Sequence, residues 1–383
     1  MDQSGSELLL WNNALVRMQR RIIDTASVEL SGFPQVSDPQ TGKWSIVADG
    51  DWTGGFWVGL LWLAHYRSRD ATLLLQAEHW SKRLRPRAQS QSVFRCFLFY
   101  YGAAIGAILL DNQIGRELGL LGAQELATLY NPRARLIPIG TQAPKPQEAH
   151  LRETNVDGLA SAALLAWAAV RLDDETLRQI ATAHATRHIE LCIRDNGSVQ
   201  QSARFDSRTG HLTGRFTHKG YTDESTWARA QAWAMLGYAL AAKYIPNEPI
   251  FLETAKRVSD WWINHVPTDG VAYWDFSDPG IPNVPRDTSA TAIALASLLK
   301  LSALTKAEEK TYYRTAAERT GKALVNNFLT PVSERDERLP GMLTEGCFNG
   351  STGQATKHEL VWGDYFLFEA LLVLTGVLDP AAI

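Results

Sequence analysis

The chain is poor in cysteine and has no large excess of charge. Its three cysteines, Cys96, Cys192 and Cys347, are widely spaced, so they show neither the spacing of a metal site nor a disulfide framework. The net charge of −3 provides no basic surface for nucleic acid or a membrane. No stretch is apolar enough to span a membrane, and the amino terminus lacks the features of a signal peptide. These absences predict a cytoplasmic protein with no nucleic-acid or membrane partner.

Common catalytic motifs are missing as well. The sequence contains no GxSxG, HExxH, GxGxxG or P-loop pattern, and its nine histidines do not cluster. Such motifs position a nucleophilic serine, a catalytic zinc ion or the phosphates of a nucleotide. These absences argue against metal catalysis and against nucleotide cofactors.

Tryptophan, by contrast, is abundant: the chain has 13, against 11 tyrosines and 13 phenylalanines. Several tryptophans stand beside polar residues: Trp52, Trp57, Trp227, Trp233, Trp274 and Trp362. Indole rings can stack on the apolar faces of sugars while the N–H still donates a hydrogen bond. The alternative is that these rings fill a large helical core.

Helical periodicity dominates the chain. We predict helices at 6–27, 56–68, 71–85, 94–110, 113–130, 155–172, 174–194, 225–243, 249–265, 287–302, 305–328 and 361–376. Helices that are apolar all round alternate with amphipathic ones, and the former must be buried. Six such pairs predict an all-α fold, the (α/α)6 barrel, as a single catalytic domain over 1–383. A helical solenoid would show a clearer repeat consensus. Residues 200–214 resemble a two-stranded excursion.

Polar and aromatic residues gather where the predicted inner helices begin, as in DGDWTGGFW and TDESTW. In an alternating ring the inner helices run the same way, so their starts converge on one mouth. The carboxylates placed there are Asp51, Glu153, Asp157, Asp223, Glu224, Asp287 and Asp364. Carboxylates among aromatic rings suit glycosidic chemistry, although acids at helix starts also serve as N-caps.

Asp157 is the best candidate for a catalytic acid. It stands in NVDGLASAALLAW, an otherwise apolar helix, where desolvation would raise its pKa. Gly158 would allow a substrate to approach closely. The alternative is a structural role, as an N-cap or a buried, hydrogen-bonded Asp.

Five segments resemble the unsaturated glucuronyl hydrolases, glycoside hydrolase family 88: DWTGGFWVGLLWL, THKGYTDESTWARAQAW, VPTDGVAYWDF, RDTSATAIA and VWGDYFLFEALL. The resemblance spans about residues 45–376 and implies the same barrel. It also implies a reaction without cofactor, in which an acid protonates C4 of an unsaturated uronate and water adds at C5. By position, Asp157 matches the family's acid. The substrate-lining positions fall on Trp52, His218, Trp227, Arg229 and Trp233.

The departures from the family pattern fall in the same region. The family's second catalytic Asp, which binds ring hydroxyls of the substrate, falls on Phe94, and the His before it falls on Val93. A family His becomes Gln201, a Gln becomes Lys219 and a Gly becomes Glu224. A family Trp is absent from RLIPIGTQAPK.

Three interpretations remain open: a hydrolase of unsaturated uronyl saccharides, an enzyme of the same scaffold with a shifted substrate or reaction, and a non-catalytic sugar-binding protein. For the first, Glu153 and Glu224 are candidates for the missing carboxylate. Glu153 would lie one helical turn before Asp157 and raise its pKa. Lys219 and Arg229 could bind the uronate, although Arg229 could instead pair with Asp223 or Glu224. The expected partner is a small saccharide or glycoside, bound by a monomer or homodimer.

Overall fold

The computed structural model describes residues 3–143 and 148–383. Its helices are α1 (Gln3–Ala26), α2 (Gly54–Ser68), α3 (Ala71–Arg83), α4 (Arg95–Phe99), α5 (Ile105–Leu110), α6 (Gln113–Ala127), α7 (Ala160–Leu172), α8 (Glu175–Cys192), α9 (Ala228–Tyr244), α10 (Pro249–His265), α11 (Thr288–Leu304), α12 (Ala307–Asn327) and α13 (Val361–Leu374). A π-helical turn, Tyr100–Ala104, joins α4 to α5, so together they replace the single predicted helix 94–110.

The helices form two concentric rings. The inner ring runs α2, α4–α5, α7, α9, α11 and α13, and each packs on the next until α13 meets α2. The outer helices are α3, α6, α8, α10 and α12, and α1 completes their ring by packing on α13. Side chains on all sides of the inner helices are buried, as their uniform apolarity requires. The prediction of an all-α (α/α)6 barrel is therefore confirmed. None of the described helices is long and apolar enough to cross a membrane.

Two small antiparallel sheets lie between the helices. The strands are β1 (Phe33–Ser37), β2 (Trp44–Val47), β3 (Glu153–Asn155), β4 (Ser202–Phe205), β5 (Leu212–Phe216) and β6 (Glu359–Leu360). One sheet has the order β2-β1-β6 and the other β3-β4-β5. Strands β4 and β5 form the predicted two-stranded excursion, which extends to Phe216 rather than ending at 214. The other strands were not predicted, because segments of two to five residues carry no usable periodicity.

The predicted helix 155–172 begins later than expected. Residues Glu153–Asn155 form β3, and Val156–Leu159 form a 3-10 turn before α7. The Asn155 side chain accepts a hydrogen bond from the Gly158 N–H at 3.2 Å, and the Val156 N–H donates to the Gln201 carbonyl at 2.9 Å. The expectation that Glu153 lies one helical turn from Asp157 is therefore wrong.

The predicted helix 225–243 also starts late, because 223–227 form a turn ahead of α9. Ser225 organises this turn: its hydroxyl donates to Asp275 Oδ2 at 2.7 Å and accepts from the Thr222 N–H at 3.1 Å. A hydroxyl bonded to local backbone competes with helix formation. The polar residues of DESTW therefore belong to a loop.

The core contains more of the tryptophans than the sugar-stacking hypothesis allows. Trp57 is only 1% exposed. Trp274 is 3% exposed, and its indole N–H donates to Asp278 at 2.8 Å. Both rings therefore stabilise the fold.

Candidate active site

The site lies where the inner helices begin. Asp157 belongs to the 3-10 turn before α7. In the inner ring, α7 lies between α4 and α9. Phe94 is the residue just before α4, and Trp227 is the residue just before α9. Asp157 is thus approached from two neighbouring inner helices.

The carboxyl group of Asp157 is desolvated and only partly hydrogen-bonded. Its Oδ1 is buried and forms no hydrogen bond within the described part of the chain, although the residue as a whole is partly exposed. Burial raises the pKa of Asp157 to about 6, while the positive charges of Lys219 and Arg229 act in the opposite direction. On the α4 side, a Cβ added to Gly158 would lie 3.0 Å from a methyl carbon of Val93. An apolar wall therefore adjoins the acid.

Lys219 is positioned by an ordered loop. The side-chain oxygen of Gln201 accepts hydrogen bonds from the Thr217 hydroxyl at 2.6 Å, the His218 N–H at 2.8 Å and the Lys219 N–H at 3.1 Å. The Lys219 Nζ lies 4.1 Å from the Phe348 ring centroid and 5.9 Å from that of Trp227. The role of Gln201 in the structure is thus to hold the loop that carries Lys219.

Among residues 5–143 and 150–383, no carboxylate lies within ion-pair distance of the Lys219 ammonium group. Burial lowers the pKa of Lys219 to about 8, and Arg229 acts in the same direction, whereas Asp157, Asp287 and Asp51 oppose the shift. A partly buried cation that lacks a contacting anion is suited to bind one.

Arg229 is already satisfied within the protein. Its Nη1 donates to Asp287 Oδ2 at 2.6 Å, and its Nη2 donates to the Phe348 carbonyl at 2.6 Å. The guanidinium also lies 4.5 Å from the centroid of the Trp227 ring and is only 1% exposed. The ion pair is therefore with Asp287, and the alternative of Asp223 or Glu224 is wrong. These bonds leave the guanidinium poorly placed to bind a uronate.

Glu153 and Glu224, the candidates for a second catalytic carboxylate, are bonded to other residues or exposed to solvent. Glu153 is buried and accepts from Arg204 Nε at 2.9 Å, and its other oxygen lies 3.4 Å from His218 Nε2. Glu224 is exposed on the turn before α9. Since burial is the largest cause of the raised pKa of Asp157, and the charges acting on it are cationic, the proposed carboxylate pair does not explain it.

Aromatic rings form another side of the site: Trp52, Phe94, Phe97, Trp233 and Trp362. The Phe94 and Phe97 rings are nearly parallel, with centroids 6.5 Å apart. Phe97 lies 4.9 Å from Trp233 and 5.9 Å from Trp52, and Trp52 lies 4.8 Å from Trp362. Trp52 and Phe94 are partly exposed, whereas Phe97, Trp233 and Trp362 are buried behind them.

Several neighbours of the site could not be identified from sequence patterns. Phe348, which contacts Lys219, lies in an irregular loop without periodicity. Arg204 and His150 converge on Glu153 only through the β3–β4 pairing and the turn before it. Within the described ranges, no group of three or more His, Cys, Asp or Glu residues could hold a metal ion.

A helical barrel with one protonatable carboxyl group, an unpaired cation and aromatic rings at its mouth has the parts of a saccharide-cleaving enzyme. The unsaturated glucuronyl hydrolase of Bacillus sp. (strain GL1) is 33% identical to this chain, over 89% of it and 90% of the relative. That of Formosa agariphila is 30% identical over 84% and 79%. The chain belongs to the unsaturated glucuronyl hydrolase family. No family model matches the sequence.

Related proteins and solved structures agree with this assignment. The unsaturated chondroitin disaccharide hydrolase of Streptococcus pyogenes serotype M1 is 30% identical, over 86% of this chain and 82% of the relative. The crystal structure of the Bacillus sp. GL1 enzyme, described as responsible for the degradation of glycosaminoglycan, superposes with a TM-score of 0.86. It is 30% identical and covers 95% of this chain and 96% of its own.

Proposed function

We propose that this protein hydrolyses unsaturated uronyl saccharides, with Asp157 as the acid. The observation that supports the proposal most strongly is the environment of the Asp157 carboxyl group. It is desolvated, has an unpartnered oxygen and has a pKa raised to about 6. A pKa near the working pH leaves a useful fraction of the group protonated and able to donate. The family membership supplies the class of substrate.

The reaction follows from the chemistry of an enol ether. Asp157 donates its proton to C4, and the positive charge that develops is shared between C5 and the ring oxygen. Water adds at C5, and the proton that it releases restores the acid form of Asp157. The resulting hemiketal opens by cleavage of the bond between C5 and the ring oxygen. The hemiacetal left at C1 then breaks down and releases the alcohol, so that one water molecule is consumed.

Lys219 completes the proposed site by binding the uronate carboxylate. Its ammonium group is unpaired, while Arg229 is already bonded to Asp287 and to backbone carbonyls. The carboxylate is attached to C5, adjacent to the carbon that Asp157 protonates. An ion pair at this position would therefore orient the double bond against the acid. Trp52, Phe94, Gln201, His218, Trp227 and Trp233 remain proposed as lining or supporting residues.

The location of the protein, its oligomeric state and the source of its substrate are also proposals. We place the protein in the cytoplasm, as a monomer or homodimer that acts on fragments released during polysaccharide degradation. The free, buried thiols of Cys96, Cys192 and Cys347 are typical of a reducing compartment. Glu153 and Glu224 stay candidates for an auxiliary role in proton transfer, which their substitution by glutamine would measure.

Asp157→Asn is the decisive experiment. The amide is nearly isosteric but cannot donate the required proton, so turnover should fall by about 10²–10⁴-fold. The assay follows the loss of ultraviolet absorbance from the conjugated enol ether carboxylate. Asp195→Asn, on an exposed turn, is the matched control and should retain full activity. If Asp157→Asn stays within a few-fold of wild type, Asp157 is not the acid.

A further inference from the structure

The two sides of the acid are chemically unlike. On the α4 side, the partly exposed ring of Phe94, backed by the buried Phe97, presents only carbon and hydrogen, and the Val93 methyl groups face Gly158. On the α9 side lies the loop 217–219, with the unpaired ammonium group of Lys219. Because α7 lies between α4 and α9 in the inner ring, these two surfaces approach Asp157 from opposite directions.

This arrangement fixes how a six-membered uronate ring can be oriented. The carboxylate is bonded to C5, and C4, the carbon that takes the proton, is adjacent to C5. Across the ring from C5 lies C2. With the carboxylate on Lys219 and C4 at Asp157, the C2–C3 edge points away from Lys219. On the α4 side of the site, Phe94 is the partly exposed aromatic residue that we assign to this edge.

We propose that the uronyl unit taken by this enzyme lacks a free hydroxyl at C2, where it is deoxygenated or capped by a small apolar group such as O-methyl. This inference rests on the proposed function and narrows its substrate class. A free hydroxyl against the Phe94 ring would lose its bonds to water and gain no acceptor from phenyl carbon. A methyl ether in the same place would gain contact area with the ring.

The test compares two synthetic unsaturated glucuronides that share one aglycone and differ only in a free or an O-methylated C2 hydroxyl. For wild type, kcat/KM for the methylated compound should be higher by about 10- to 100-fold, which is the range expected for an unpaired buried polar group. Loss of the enol ether absorbance reports both reactions.

Phe94→Asp should reverse the preference, because a carboxylate accepts a hydrogen bond from the free hydroxyl, whereas the methyl ether has no proton to donate and would desolvate the carboxylate. The variant should fold, since the Phe94 side chain is partly exposed and a carboxylate at this position can remain hydrated. Circular dichroism checks this point. Phe94→Leu, which keeps an apolar surface, is the control and should retain the wild-type preference.

The outcomes separate the two proposals. If wild type turns over neither compound, the proposed function fails. If it turns over the free-hydroxyl compound as well as the methylated one, or better, the substrate inference fails and the proposed function stands. An unchanged preference in folded Phe94→Asp would also contradict the inference.

Discussion

Among single residues, Lys219 has the most consequences, because in the proposed site its charge acts on both the substrate carboxylate and Asp157. Lys219→Gln removes the cation that opposes the rise of the Asp157 pKa. That pKa should therefore move further upward from about 6, and Asp157 should stay protonated to higher pH. In wild type, kcat/KM should fall as pH increases through about 6, and in the variant this decline should begin at a higher pH.

The same variant should weaken binding of the acidic substrate. Its KM for the free uronate should rise by about tenfold or more, whereas the KM for the methyl ester should change little, since a neutral ester gains little from the ammonium group. Lys310→Gln, exposed on the outer helix α12, is the control for loss of a lysine charge. Equal effects on acid and ester, with an unmoved pH profile, would exclude Lys219 from carboxylate binding.

Between elements, the ion pair of Arg229 and Asp287 joins the starts of α9 and α11. Both side chains are almost fully buried, and the same guanidinium bonds the carbonyls of Cys347 and Phe348. Arg229→Met would leave the Asp287 carboxylate buried without its partner. The free energy of unfolding should fall by about 3–5 kcal/mol, as is typical when one member of a buried pair is removed.

A denaturant titration measures this change. Arg20→Met breaks the Arg20–Asp24 pair, in which both side chains are largely exposed, and should cost no more than about 1 kcal/mol. If Arg229→Met were as stable as Arg20→Met but lost substrate affinity, Arg229 would be a substrate ligand rather than a structural residue.

Across the whole molecule, charged residues link α1, the first helix, to the segment at the start of α13, the last helix. Arg21 of α1 donates to both oxygens of Glu359, at 3.0 and 2.7 Å. Asp364, at the start of α13, has a pKa raised well above its ordinary value by burial and by the charge of Glu359. The folded barrel therefore favours the protonated form of Asp364.

The pH dependence of stability follows from that proton. Because the folded pKa of Asp364 is raised, the folded state binds more protons than the unfolded state above about pH 4. Its contribution is present at low pH and is lost as the pH rises towards the folded pKa. Asp364→Asn, which keeps a hydrogen-bond donor for Glu359 without a titrating group, should flatten the decline in melting temperature from pH 5 to 8.

Asp195→Asn, which lies on the surface, serves again as the control and should melt with the wild-type pH dependence. An unchanged decline in Asp364→Asn would show that Asp364 is already ionised in the folded protein over this pH range. The same melting curves test the prediction of one domain over 1–383, which requires a single cooperative transition.

The fold could be predicted from the sequence because helical periodicity extends over long segments, and six uniformly apolar helices have few ways to be buried. Asp157 could be predicted because a lone carboxylate in an apolar segment is conspicuous. The partners of Arg229 could not, since Asp287 is 58 residues away and nothing local indicates the pair. Glu153 was misplaced for a related reason: the strand that contains it exists only through pairing with β4.

The sheet β3-β4-β5 also bears on how this enzyme could change over time. It carries both the turn with Asp157 and the segments that hold Lys219, since Val156 bonds Gln201 and Gln201 bonds the 217–219 loop. Phe94 belongs to a different element, the start of α4. The proposed proton donor and the proposed carboxylate-binding lysine are thus held by one connected set of strands, while the residue that we assign to the opposite ring edge can be exchanged separately. A lineage could in this way acquire new substrates through position 94 without rebuilding its chemistry.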